Sequence, residues 1–104
     1  MHVQDKFIIR EFVCIAAENG WTLDDDQPDV EGFDFSVNDA ESIIKACDDL
    51  DEFTVDFVNK EKNQRGWVFF VMGNEPGVII CDASSRLGDI FDKTMDSHDQ
   101  AFTE

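Results

Sequence analysis

The chain has 104 residues, 42% of them hydrophobic and 12% aromatic, with ten Phe and two Trp; this is material for one modest folded core and not the aromatic-poor make-up of a disordered acidic tail. Its 24 Asp and Glu against 8 Lys and Arg leave a net charge of −16. Such a charge repels phosphate backbones and anionic headgroups, which excludes a basic nucleic-acid groove and attachment to an anionic membrane surface.

In chain order, residues from about Gln4 to Asn19 predict a helix, with Phe7, Ile8, Phe12, Ile15 and Ala16 on one side and Ile9 and Val13 broadening the stripe. Asn19-Gly20 supplies its stop, and a short strand at Trp21-Thr22-Leu23 can follow. Asp24 to Asp29 has turn chemistry and predicts an exposed loop before a strand at Gly32 to Ser36, where Phe33 and Phe35 share a face. Asn38 with Glu41 three residues later resembles a capping box, and Ala40, Ile43, Ile44, Cys47 and Leu50 at helical spacing predict a second helix over about 39 to 50. Glu52 to Val58 alternates and predicts a strand with Phe53, Val55 and Phe57 on one face. The Lys60 to Arg65 loop leads to Gly66 to Met72, apolar on both faces and therefore expected in the middle of a sheet. Gly73 to Gly77 is a turn, Val78 to Asp82 completes an antiparallel meander, and Ser84 or Ser85 can cap a last short helix using Leu87, Ile90, Phe91 and Met95.

The expected fold class is α+β, an antiparallel sheet of three to five strands ending in a C-terminal β-meander, with helices packed on one face. Residues 1–95 form one domain in this reading, and 96–104 a flexible polar tail. Either Val68, Phe70 and Met72 or Trp67, Phe69 and Val71 must find cover on the opposite face. A third helix or a second copy of the chain could supply it, which raises homodimerisation through the apolar sheet face.

Chemistry is sparse. Cys14, Cys47 and Cys81 are odd in number, lack Cys-x-x-Cys spacing and sit in apolar stretches, so buried reduced thiols are expected. The only histidines, His2 and His98, stand near chain ends expected to be mobile, where the geometry of acid–base catalysis cannot be held. Asp24 and Asp26 have the first spacing of a calcium loop, but Pro28 occupies the next ligand position and no Gly marks the sharp turn. Neither a Walker-type nor a Rossmann glycine pattern is present. An enzyme, a cofactor and a metal are therefore not expected. Met1 to Lys6 lacks a signal peptide's apolar region, and no run approaches the ~18 apolar residues of a membrane span, so the expectation is a cytoplasmic protein.

Charge placement remains. Residues 18 to 56 hold fourteen acids and one base, Lys45, whereas the rest of the chain has ten acids and seven bases. Asp24, Asp25, Asp26, Asp29 and Glu31 in the first loop, Glu41 on the second helix, and the Asp48, Asp49, Asp51 and Glu52 corner predict a negative surface that meets Arg and Lys on a partner. Alternate side chains of an extended segment lie about 6.6 Å apart, of the order of successive phosphates on a nucleic-acid strand.

In size, charge and style the chain, with its Gly66-Trp67-Val68 to Gly73-Asn74 stretch, resembles the nucleic-acid mimics that phages and mobile elements encode against restriction and CRISPR systems. That resemblance implies a protein inhibitor acting on a basic, nucleic-acid-binding host protein. An immunity or antitoxin protein blocking a basic nuclease toxin, and an assembly module using the apolar sheet face, stay open beside it.

Overall fold

The computed structural model describes residues 2–24, 40–49, 52–71 and 79–102, apart from the side chains of Asp48, Asp49 and Phe53. The first helix, α1, spans Val3–Glu18. His2, in an extended conformation, caps it by accepting a 3.1 Å hydrogen bond from the Gln4 N–H at its ring Nδ1. Gly20 has φ of +84°, which lets the chain leave the helix, and the Trp21 N–H returns to the Ala16 carbonyl at 2.8 Å. A short strand β1, Thr22–Leu23, follows, and then α2, Ala40–Asp49.

Strands β2, Glu52–Asn59, and β3, Gln64–Val71, form a hairpin in unbroken register from Glu52 opposite Val71 to Asn59 opposite Gln64. Its loop, residues 60 to 63, closes through Asn63 at φ of +52°. Asn63 is one of the few residue types that enters the left-handed region at low cost. Buried Asn59 ties the hairpin to the end of α1. Its side-chain amide donates to the Asn19 carbonyl at 3.2 Å, and its Oδ1 accepts from the Lys62 N–H at 3.1 Å. Strand β4, Ile80–Ala83, a 3₁₀ turn at Ser85–Leu87 and α3, Gly88–Phe102, complete the chain. The sheet is antiparallel in the order β1-β2-β3-β4, with a register irregularity between Phe69 and Phe70 opposite β4. This is the α+β class and the C-terminal meander that the sequence predicts.

Helix α1 packs against both α2 and α3. Ile8, Ile9, Phe12, Val13, Ile15 and Ala16 on α1 join Leu23, Val55, Phe57, Val68, Phe70 and Ile80 of the sheet in one core. The Phe12 and Phe57 rings meet edge to face, with centroids 5.4 Å apart. Alternation decides the rest: Gly66, Val68 and Phe70 of β3 point into this core, and Arg65, Trp67, Phe69 and Val71 point away from it. Gly66 is where Leu87 of the 3₁₀ turn comes down on the sheet. A Cβ there would stand 2.8 Å from Leu87 Cδ1 and 2.9 Å from Ser84 Oγ.

Three expectations are corrected. The polar tail expected from Asp96 is helical through Phe102, because Thr94, His98 and Phe102 recur every four residues and turn one side of α3 toward α1. Phe102 meets Phe7 edge to face at 5.4 Å, and His98 Nε2 lies 2.9 Å from Gln4 Oε1. His98 is thus held in place, as is the capping His2. Of the three cysteines expected inside, only Cys47 is buried. Cys14 shares the exposed side of α1 with Arg10, Ala17 and Glu18, and Cys81 is exposed on the edge strand β4. The predicted strand at Gly32 to Ser36 and the turn at Gly73 to Gly77 lie outside the described residues, as does Met72.

Candidate protein-interaction face

Of the ten acidic residues singled out in the sequence, Asp24, Glu41 and Glu52 have described side chains. Asp25, Asp26, Asp29, Glu31 and Asp51 lie outside the described residues, and Asp48 and Asp49 are placed by backbone alone, at the end of α2. Glu41, in the first turn of α2, accepts a 2.8 Å hydrogen bond from Arg10 Nε, and both side chains are more than half exposed. This hydrogen bond and the carboxylate's charge hold the Arg10 guanidinium above its ordinary pKa. Glu41 therefore belongs to the helix layer, with its charge balanced locally. Glu52 is exposed at the start of β2 on the other face of the sheet.

Asp24 corrects the expectation of a solvated loop residue. It extends the β1 ladder, its N–H donating to the Asp56 carbonyl at 2.9 Å, and only 4% of its surface is exposed. Its Oδ2 accepts from Arg65 Nη1 at 3.1 Å, in a pair whose arginine side chain is 74% exposed. The carboxylate is buried because a strand residue next to Leu23 must face away from the core, and there it meets the cation that β3 presents.

The sheet face turned away from the helices carries two of those acids, Asp24 and Glu52. Across one row stand Asp24, Asp56 and Trp67, since Asp56 is directly opposite Trp67 in the β2–β3 register. Across the next stand Thr54, Phe69 and Asp82, with Phe69 paired to both neighbours. Glu52 opposite Val71 begins the row beyond. Trp67 is 38% exposed, Phe69 and Val71 are half-buried, and Asp82 and Thr54 are exposed.

A shallow hollow of about 460 Å³ is lined by Thr54, Asp56, Trp67, Phe69 and Asp82. A second, of about 190 Å³, is lined by Asp24, Asp56, Arg65, Gly66 and Trp67, so Asp56 and Trp67 belong to both. Partial burial pushes the Asp56 carboxyl above its ordinary pKa; the neighbouring Asp24 charge adds to this and Arg65 opposes it.

Basic residues collect elsewhere. Lys62, Arg86 and Lys93 line a polar hollow of about 160 Å³ beside the hairpin loop, together with Asp89. The described part of the molecule thus separates an acidic, aromatic sheet face from a cationic end.

Sequence reasoning missed Asp56, Asp82 and Thr54 as members of a site, and treated Trp67 and Phe69 only as residues needing cover. The alternation of 64–71 carries a signal for Trp67 and Phe69. Nothing local in the sequence says that Asp56 and Asp82 stand on either side of them, because that depends on the register of two hairpins.

Among the described residues no group of three or more His, Cys, Asp or Glu is placed to hold a metal, and no helix is long and apolar enough to cross a membrane. Searches against protein-family models, curated proteins and solved structures find no match.

Proposed function

We propose that this chain is a non-enzymatic protein inhibitor, encoded by a phage or mobile element, that covers the basic nucleic-acid-binding surface of a host defence or nucleic-acid-processing protein. The observation that carries this reading is the outer sheet face, where Glu52, Asp56 and Asp82 stand around the exposed Trp67 and the half-buried Phe69 in a chain of net charge −16. Tryptophan is among the residue types enriched at the energetic hot spots of protein interfaces. The carboxylates around it set the sign of the partner and accelerate encounter with it. Dimerisation through the same face would set Glu52, Asp56 and Asp82 of one copy against those of the other, and like charges so placed are unfavourable. A basic partner satisfies the apolar and the charged groups together.

The test has two steps. The immobilised chain captures proteins from host lysate at about 0.05 M and about 0.2 M salt, and the captured protein, once purified, is assayed for nucleic-acid binding with and without one equivalent of this chain. The expected result is a complex that weakens with salt and a partner that loses nucleic acid stoichiometrically. A complex indifferent to salt, or a partner that binds nucleic acid and this chain at once, overturns the reading.

A further inference from the structure

The binding mode can be narrowed to one side chain, on the premise that the partner is basic. We infer that the outer sheet face is a receptor for an arginine of the partner polypeptide, whose guanidinium stacks on the Trp67 ring between the carboxylates of Asp56 and Asp82.

The placement follows from the sheet. Trp67 is on β3, Asp56 faces it from β2, and Asp82 stands on β4 opposite Phe69, the next outward residue of β3. Neighbouring strands are separated by about 4.8 Å and the two acids are offset by two residues along the strands, so they stand about 12 Å apart across β3, with Trp67 and Phe69 between them. That separation is too wide for the two acids to share a proton or a small cation directly. It is suited to a flat cation lying over the middle strand, with one acid on each side.

The chain already pairs one arginine with a carboxylate on this face. Arg65, also on the outer face of β3, extends a largely exposed side chain to the buried Asp24 carboxylate at 3.1 Å, and its charge acts on Asp56. The hollow that holds this pair shares Asp56 and Trp67 with the larger one beside it. The described residues that line the larger hollow include two carboxylates and two aromatic rings and no Lys or Arg. An arginine entering there would extend the alternation of acid and guanidinium by one step.

Arginine fits better than lysine. A guanidinium is planar and weakly hydrated, so it can lie flat on an indole and still donate from its edges to acids on both sides. An ammonium is a strongly hydrated point charge that gains less from the ring. Nucleic acid is disfavoured because the face presents carboxylates to its phosphates. A second copy of this chain is a poor donor: it has only three arginines, Arg10, Arg65 and Arg86, of which the first two are held by Glu41 and Asp24.

The test uses the full chain and two synthetic peptides of equal length and charge, one carrying arginine and the other lysine. Binding is followed by calorimetry and by the indole N–H signals of the two tryptophans. Trp21, 5% exposed in the core, serves as the internal control. The expected result is that the arginine peptide binds about tenfold tighter than the lysine peptide, that the Trp67 signal moves while the Trp21 signal does not, and that Trp67→Ala removes the preference. Trp67→Phe, a milder change, should retain part of it, and Asp82→Asn should weaken the arginine peptide severalfold, which keeps the test usable if Trp67→Ala folds poorly.

Equal affinity for the two peptides with an unmoved Trp67 signal overturns the arginine receptor. If both peptides then still bind in a salt-sensitive way, the acidic inhibitor reading survives without it; if neither binds at low salt, both fall. Self-association that Trp67→Ala abolishes would assign the face to a second copy and overturn the inference as well.

Discussion

The two faces of the sheet are built from the same alternating strands, yet they are finished differently. On one face Val55, Phe57, Val68 and Phe70 are at most 1% exposed beneath α1 and its neighbouring helices. On the other, on the same strand as Val68 and Phe70, Trp67 is 38% exposed and stands among carboxylates. A buried apolar ring stabilises the fold through the water it sheds, whereas an exposed one beside charges contributes little to folding and remains available for a partner. An apolar side chain therefore has two uses, and the face it occupies decides which.

Substitutions at matched positions should separate these uses. The largest effect is expected at Phe57→Ala, which empties the space under Phe12 and should reduce unfolding free energy by about 3–5 kcal/mol in urea denaturation. Trp67→Ala should cost about 1 kcal/mol or less, the scale of a cross-strand pair. Equal losses at the two positions would mean that the outer face belongs to the core.

Gly66→Ala comes next, because the added methyl runs into Leu87 and Ser84. A loss of about 1–3 kcal/mol is expected, with partial recovery when Leu87→Ala is combined with it. Additive losses would show that the close approach of Leu87 to Gly66 is not what limits the site.

Arg65→Ala leaves the Asp24 carboxylate buried without this cation. Loss of a buried partner is expensive, but most of the Arg65 side chain is in water, so a cost of about 1 kcal/mol is expected, smaller at high salt. A variant as stable as the parent at low salt would mean that Asp24 does not depend on this pair.

The smallest effect has the opposite sign. The folded-state pKa of Asp56 is raised, so the folded protein binds this proton more tightly than the unfolded chain does. Stability from this group is greatest when it is protonated, falls as pH rises between the unfolded and folded pKa values, and stays reduced above both. Asp56→Asn should therefore raise the thermal midpoint slightly at neutral pH, with the gain shrinking as acid protonates the parent's carboxyl. A gain that grows toward acid pH would contradict the raised pKa.

Alternating residues such as Val55 and Phe57, or Trp67 and Phe69, declare two faces through the period of the strand, and the stripe of Ile8, Phe12 and Ile15 declares one side of a helix. These patterns are local, which is why the strands, the helices and the α+β class were legible in the sequence, along with the segregation of charge into residues 18 to 56. Local patterns do not say which face the helices cover, and Trp67, Phe69 and Val71 looked as suitable for the core as Val68 and Phe70. That choice follows from long-range packing, with Gly66 on the inner side admitting Leu87 from twenty-one residues away in the chain. The same dependence buried Asp24 against Arg65, fixed His98 and Phe102 against α1, and brought Asp56 opposite Trp67 and Asp82 opposite Phe69. Charge and periodicity along the chain were determined by the sequence itself. Which charges meet, and which aromatic rings stay uncovered, was decided only when strand register and helix docking brought distant residues together.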